Sequence, residues 1–368
     1  MTHRFGVLRR FRFNFPQRIA AAFLALLLVQ GLGVILRRPL TTGELTYARC
    51  GHALWTGAET GACHTLGDGL LDERLAALSF EHDSPLARLL LRLPFLAASL
   101  LLGGCLWWVS RRLYGNRGGY TAIALYCASP AILAISTTPN PEILAALGLY
   151  SGVYTAIGVA HAMQGPRRKW RPRIVLLTLT FAAAATAHLA ALALTLALGL
   201  GFMLWVGEGR RKPIFPVLAA ATLGSLLLHW ICAGFCRSCF QFAPTSFQFS
   251  LAPARQFFLA TGEIGITLAT GIALLLYAAT RRSRYFGNTT PLLCAMVFFF
   301  LAFGASAGAP WLWAIPFLLT FVAGVFADAY EGAHPQAAFA LGATLVAAQL
   351  LVGLWHAIFL YEPLILNR

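Results

Sequence analysis

Apolar residues run through the chain in long stretches that short polar segments separate. An apolar stretch of about twenty residues can cross the hydrocarbon core of a bilayer as one helix. Such stretches predict eleven membrane spans, at 19–36, 93–109, 119–135, 142–162, 174–189, 190–206, 214–232, 263–280, 290–307, 310–327 and 336–358. The sequence therefore predicts an all-α polytopic membrane protein, with residues 1–368 forming a single transmembrane domain.

The apolar run 174–206 is long enough for one tilted helix or for two spans. A tight hairpin near Thr186–His188 is favoured, because it places the basic clusters on the two sides of the run in the same compartment.

The distribution of charge predicts the orientation of the chain. With the N-terminus inside, the inner segments carry 19 of the 28 Lys and Arg residues, and ten of the thirteen acidic residues lie on or near the outer side. Lys and Arg collect in cytoplasmic loops, so we expect the N-terminus inside and the C-terminus outside. The same rule explains the net charge of +15 without a nucleic-acid partner.

Composition agrees with this class of protein. The chain is 58% hydrophobic and 11% charged, whereas a soluble chain carries about 25% charged residues. Only two lysines accompany the arginines, in a sequence rich in Ala, Leu and Gly. This composition is typical of a GC-rich bacterial genome, and it favours a bacterial inner membrane.

Two outer loops are long, the first at 37–91 and the second at 233–262. Long loops inside a compact architecture are usually functional, and we expect short amphipathic helices in the first loop. An outer compartment in bacteria also permits disulfides. The candidate pairs are Cys50–Cys63 and Cys236–Cys239. No metal site is predicted.

The first outer loop begins and ends with helix-start signals. Thr41-Thr42-Gly43-Glu44 fits the capping box S/T-x-x-E, so Glu44 has a capping interpretation beside a functional one. At the other end Glu81, His82 and Asp83 precede Ser84-Pro85. Either Asp83 or Ser84 can cap the next helix, with Pro85 at its first position.

Taken in order, several segments resemble the GT-C superfamily of membrane glycosyltransferases, especially its dolichyl-phosphate-mannose protein mannosyltransferase-like and aminoarabinose transferase-like branch. The resemblance is clearest between residues 41 and 160 and returns weakly at 308–325. The segments are TTGELTYARCGHALWTG at 41–57, HDSPL at 82–86, RRLYGNRGG at 111–119, LYCASPAILAISTTPNPE at 125–142 and GAPWLWAIPFLLTFVAGV at 308–325.

The resemblance implies a GT-C-like core in which the first outer loop is catalytic. It implies transfer of a sugar, with inversion, from a polyprenyl-phosphate-linked donor to a lipid, glycan or protein acceptor at the outer face. An Asp-Glu pair is expected in that loop, but this chain has Gly43-Glu44. Either Glu44 acts alone, or Glu81 or Asp83 substitutes, or the chain has lost the chemistry.

Such a transfer needs a base for the acceptor hydroxyl and a cation for the departing phosphate. Arg255 has a second interpretation as an arginine that snorkels to the interface, and Arg88 and Arg92 can anchor the start of a helix. Tyr47 can anchor its own helix at the interface. The predicted catalytic residues are Glu44 and Asp83, with His82 and Glu81 beside them, and the predicted phosphate- or donor-binding residues are Arg255, Arg88 and Tyr47. No cofactor is expected, and the metal requirement stays open.

Two more ionisable residues have both a structural and a functional interpretation. Glu142 follows Asn140-Pro141, and the electrostatics of a helix start explain it as well as a function does. His188 lies inside an apolar run, where ionisable groups are costly and often functional. Its plainer interpretation is a neutral histidine that a neighbouring helix satisfies, or one at the outer end of the hairpin.

Two other functions stay open at this stage. The first is a catalytically degenerate GT-C-like scaffold or lipid-binding subunit, which Gly43 favours. The second is a transporter or flippase. The spans contain few charges and no internal repeat, and both observations argue against transport.

Overall fold

The structure, a computed structural model, describes residues 14–56, 75–78, 83–164, 170–207, 211–232, 264–280, 290–297, 310–332 and 334–359. Within these ranges the regular secondary structure is entirely α-helical. The helices are α1 Phe15–Arg37, α2 Thr42–Thr56, α3 Pro85–Cys127, α4 Pro130–Ser136, α5 Pro141–Met163, α6 Arg171–Ala187, α7 Leu189–Val206, α8 Ile214–Cys232, α9 Ile264–Thr280, α10 290–297, α11 Pro310–Tyr330 and α12 Pro335–Phe359.

Seven helices in the described part are long and apolar enough to cross a membrane. They are α1, α3, α5, α7, α8, α11 and α12, and α9 adds a shorter apolar segment at Gly265–Ala278. The predicted all-α polytopic membrane protein is confirmed. The number of eleven spans and the orientation stay predictions.

Helix α3 contains two antiparallel arms that meet at Gly115. The backbone of Gly115 has φ +79° and ψ −172°, a conformation that glycine adopts without strain. The hydroxyls of Ser99 and Tyr126 lie 2.9 Å apart across the two arms, and a Cβ on Gly103 would lie 3.0 Å from the ring of Tyr126. The segment RRLYGNRGG therefore contains the turn between the two arms of α3.

The predicted span 119–135 is divided in the structure. The second arm of α3 ends at Cys127, and α4 starts anew at Pro130. Proline has no N–H to continue the preceding helix, and the hydroxyl of Ser129 accepts a hydrogen bond from the Ile132 amide at 3.1 Å as the cap of α4.

The predicted break in the run 174–206 is present at His188. Its backbone is extended, with φ −148° and ψ 127°, between α6 and α7. Both helices pack against α5 through small residues. A Cβ on Gly148 would come within 2.3 Å of the Ala184 amide nitrogen, and one on Gly152 would lie 2.6 Å from Thr195.

The bundle has an α2 end, where α1 ends and α3 begins, and a Gly115 end, where the two arms of α3 meet. At the Gly115 end, the Arg117 guanidinium donates to the Tyr330 carbonyl at 3.0 Å, so α11 finishes there. The second arm of α3 ends beside Ser99 and Gly103 of the first arm, and α5 and α11 begin near Leu102, on the α2 side of Gly115.

Candidate functional site

The site begins with the local structure of the segment before α2. The Glu44 carboxylate accepts hydrogen bonds from the amide and the hydroxyl of Thr41, at 2.9 and 3.1 Å. The Glu44 amide donates in return to the Thr41 hydroxyl at 3.3 Å. The predicted capping box is confirmed, and it fixes the carboxylate at the first turn of α2.

Arg92 of α3 binds the same carboxylate. Its Nε and Nη2 atoms donate to Oε1 and Oε2 of Glu44 at 2.9 and 2.8 Å. The remaining N–H groups donate to the carbonyls of Ile35, Arg38 and Pro39, at 3.2, 2.8 and 2.9 Å. A guanidinium has five N–H donors, so every donor of Arg92 is used. We refer to Arg92 and Glu44 as the enclosed pair.

The enclosed pair joins three elements away from solvent. Arg92 is 0% exposed and Glu44 is 6% exposed. The carbonyls that Arg92 binds follow the last turn of α1 or belong to it, where a helix has no internal partners for them. Burial disfavours the charge of Glu44, but the hydrogen bonds and charge of Arg92 outweigh burial and keep the pKa of Glu44 below its ordinary value.

One turn earlier on α3, Arg88 binds the carboxylate of Asp83. Nε and Nη2 of Arg88 donate to Oδ1 and Oδ2 of Asp83 at 2.6 and 2.7 Å, and Nη1 donates to the Leu36 carbonyl at 3.0 Å. The side chains are 20% and 34% exposed, and we refer to Arg88 and Asp83 as the accessible pair. The hydrogen bonds from Arg88 lower the pKa of Asp83, so this carboxylate is ionised at neutral pH.

The structure thus brings three predicted site residues, Glu44, Asp83 and Arg88, to the end of α1. Arg92, which binds Glu44 there, was predicted only as a helix anchor. Residues four apart share one face of a helix. This spacing could have predicted from the sequence that Arg88 and Arg92 both face the end of α1.

The other predicted site residues either pack beside these pairs or lie outside the described part. Tyr47 packs against a small apolar cluster that contains Ala48 and Leu91. Glu81, His82 and Arg255 lie outside the described residues. Cys50 of α2 takes part in a disulfide, and its predicted partner Cys63 also lies outside the described residues. Within the described ranges no three His, Cys, Asp or Glu side chains are arranged to hold a metal ion.

No protein-family model and no curated protein matches the chain, but solved structures do. ArnT from Cupriavidus metallidurans in the apo state matches with a TM-score of 0.60 and 16% identity, over 92% of this chain and 76% of that one. The same protein bound to undecaprenyl phosphate matches with a TM-score of 0.60 and 17% identity, over 92% and 77%.

A third match is the oligosaccharyltransferase of Archaeoglobus fulgidus in complex with Zn and sulfate. Its TM-score is 0.55 at 12% identity, and the match covers 90% of this chain but 53% of that one. At such identities the similarity shows the fold. The chain therefore shares the fold of ArnT and of this oligosaccharyltransferase, and this agrees with the fold that the sequence resemblance predicted.

Proposed function

We propose that this protein transfers a sugar from a polyprenyl-phosphate donor to a lipid, glycan or protein acceptor at the α2 end of the bundle. The observation that carries the proposal is the accessible pair, Arg88 and Asp83, beside the enclosed pair on a GT-C fold. One structure with this fold, ArnT, is bound to undecaprenyl phosphate, and this supports a lipid-phosphate donor here.

The α2 end faces outward in this proposal. The charge distribution predicts that orientation, and the disulfide at Cys50 supports it, because disulfides persist in oxidising compartments such as the bacterial periplasm. The protein then lies in the bacterial inner membrane, with its reaction on the periplasmic side.

Arg88 is the group proposed to hold the donor phosphate. A guanidinium matches two oxygens of a phosphate as it matches two oxygens of a carboxylate. Arg88 already adopts this two-point geometry toward Asp83, and it is accessible. Asp83 would position the guanidinium until the phosphate takes its place. Arg255 and Tyr47, with Glu81 and His82, remain further predicted contacts of donor or acceptor.

The proposed reaction is a single displacement with inversion. The acceptor oxygen forms a bond to the anomeric carbon, the bond from that carbon to the phosphate oxygen breaks, and its electron pair leaves with the polyprenyl phosphate. Arg88 stabilises the negative charge that develops on the phosphate. Glu44 would have a structural role and keep α2 and α3 together, because each of its oxygens already accepts hydrogen bonds from Arg92 or Thr41.

The test is a transfer assay on purified protein in nanodiscs. The donors are radiolabelled sugars on a panel of polyprenyl phosphates, and the acceptors are extracted from membranes. The proteins compared are wild type, Arg88→Lys, Arg88→Ala and Arg112→Ala. We expect Arg88→Ala to lose about 100-fold in kcat/KM and Arg88→Lys to lose less. Arg112 is exposed near Gly115, so Arg112→Ala is the matched control and should equal wild type.

A degenerate scaffold is the second candidate function, favoured by Gly43 and by the enclosure of Glu44. It predicts that folded wild type binds undecaprenyl phosphate but transfers no sugar from any donor. That result would replace the enzymatic proposal.

A further inference from the structure

A second polar cluster lies beside Leu102 of α3, on the α2 side of Gly115, where α5, α11 and the break between α6 and α7 meet. Oε2 of Glu142 accepts a hydrogen bond from Nε1 of Trp313 at 2.6 Å. Oε1 of Glu142 lies 3.4 Å from Nε2 of His188. The rings of His188 and Trp313 have centroids 5.7 Å apart.

Each member of this cluster is placed by its own helix end. Glu142 is the second residue of α5, whose cap Asn140 accepts from the Glu142 amide at 2.9 Å, and a helix N-terminus favours a negative charge. His188 is the residue with extended backbone between α6 and α7. Trp313 lies in the first turn of α11.

The carboxylate is more enclosed than the imidazole. The Glu142 side chain is 6% exposed and the His188 side chain is 18% exposed. Glu142 also borders a small pocket whose other walls are apolar, including Leu102, Ile132 and Leu312. In such surroundings an interaction between a carboxylate and an imidazolium is stronger than in water.

An imidazole backed by an enclosed carboxylate is an arrangement suited to a general base. The carboxylate orients the ring and stabilises the imidazolium that forms when the ring accepts a proton. Neither carboxylate of the two arginine pairs is as well suited. Glu44 is enclosed, and Asp83 is held at both oxygens by Arg88.

We propose that His188 accepts the proton of the acceptor hydroxyl, with Glu142 positioning its imidazole and Trp313 fixing the carboxylate of Glu142. This inference rests on the proposed function. In the step, the acceptor O–H bond breaks and its proton passes to Nδ1 of His188, because Nε2 faces Glu142. The acceptor oxygen bonds to the anomeric carbon, and the polyprenyl phosphate leaves with the electron pair. The Glu142 carboxylate stabilises the resulting imidazolium.

The test is the pH dependence of kcat/KM in the same transfer assay. α5 supplies the charged neighbour of His188, Glu142, and α11 supplies the neutral Trp313. For wild type the rate should rise with pH as the imidazole loses its proton. His188→Gln should lower the rate about 100-fold, as expected for loss of a general base, and should remove this rise. His161→Gln, at an exposed position in the last turn of α5, is the matched control and should retain the wild-type profile.

Trp313→Phe keeps an aromatic ring and removes only the N–H donor to Glu142. It should lower the rate less than His188→Gln does and should displace the rise along the pH axis, because Glu142 is less firmly held. The melting temperature of each variant shows whether it is folded. If His188→Gln does not fold, Trp313→Phe and His188→Asn are measured in its place.

Three results overturn the inference. If wild type transfers sugar and folded His188→Gln keeps the wild-type rate and profile, His188 is not the base and the proposed function stands. If Asp83→Asn removes the rise while His188→Gln retains it, the base is Asp83. If folded wild type transfers no sugar from any donor, the proposed function and this inference fail together.

Discussion

Two arginines one turn apart on α3 bind two carboxylates, and their environments differ. Arg92 and Glu44 form the enclosed pair, in which every guanidinium donor is used and both side chains are buried. Arg88 and Asp83 form the accessible pair, with 20% and 34% of the side chains exposed. The same chemical pairing therefore serves two purposes. The enclosed pair joins α1, α2 and α3. The accessible pair leaves the guanidinium of Arg88 able to exchange Asp83 for another partner.

The energetic consequences of burial separate the two pairs. Removing one partner of a buried ion pair leaves an uncompensated charge and costs about 3–5 kcal/mol. An exposed pair contributes about 0–1 kcal/mol, because water solvates either partner when it is alone. Stability measurements on matched variants should therefore distinguish the pairs.

The largest effect is expected for Glu44→Gln. The amide keeps the shape of the side chain but leaves the charge of Arg92 buried without a counter-charge, so we expect a loss of about 3–5 kcal/mol in the free energy of unfolding. Thermal unfolding in detergent measures it. In the double variant Glu44→Gln, Arg92→Met the buried charge is absent, and part of the stability should return. An unchanged melting temperature in Glu44→Gln would show that the pair is not what joins the three helices.

The second effect is a dependence on acid pH that belongs to the enclosed pair. The pKa of Glu44 is lowered in the folded protein. Its contribution to stability is therefore complete above the ordinary glutamate pKa of about 4.3 and is lost as pH falls through the lower, folded pKa. We expect the difference in melting temperature between wild type and Glu44→Gln to narrow as the pH is lowered through this window. A difference that stays constant with pH would contradict the ionised pair.

The smallest effect on stability is expected for Asp83→Asn. The accessible pair contributes at most about 1 kcal/mol, and salt screens such a pair, so the contribution should shrink between low and high ionic strength. The Glu44→Gln difference should persist in the same salt series. A large, salt-independent loss in Asp83→Asn would show that the two pairs are energetically alike, and would remove the basis for assigning them different purposes.

Local signals predicted much of the fold. The membrane-spanning helices follow from apolar length, and the capping box at Thr41 and Glu44 lies within four residues of sequence. The start of α3 was predicted with either Asp83 or Ser84 as its cap, and the structure selects Ser84, whose hydroxyl accepts from the Ala87 amide at 3.1 Å. The break at His188 was predicted from the charges on either side of an apolar run.

The sequence alone determined the helical class of this protein, its GT-C resemblance and the caps at the start of α2 and α3, because hydropathy and capping depend on neighbours a few residues away. Only the tertiary structure decided that Arg92 encloses Glu44, and that Glu142 meets both His188 and Trp313. These partners come from different elements of the chain. Pairing between them depends on which helix ends the bundle brings together, and no local pattern in the sequence records that.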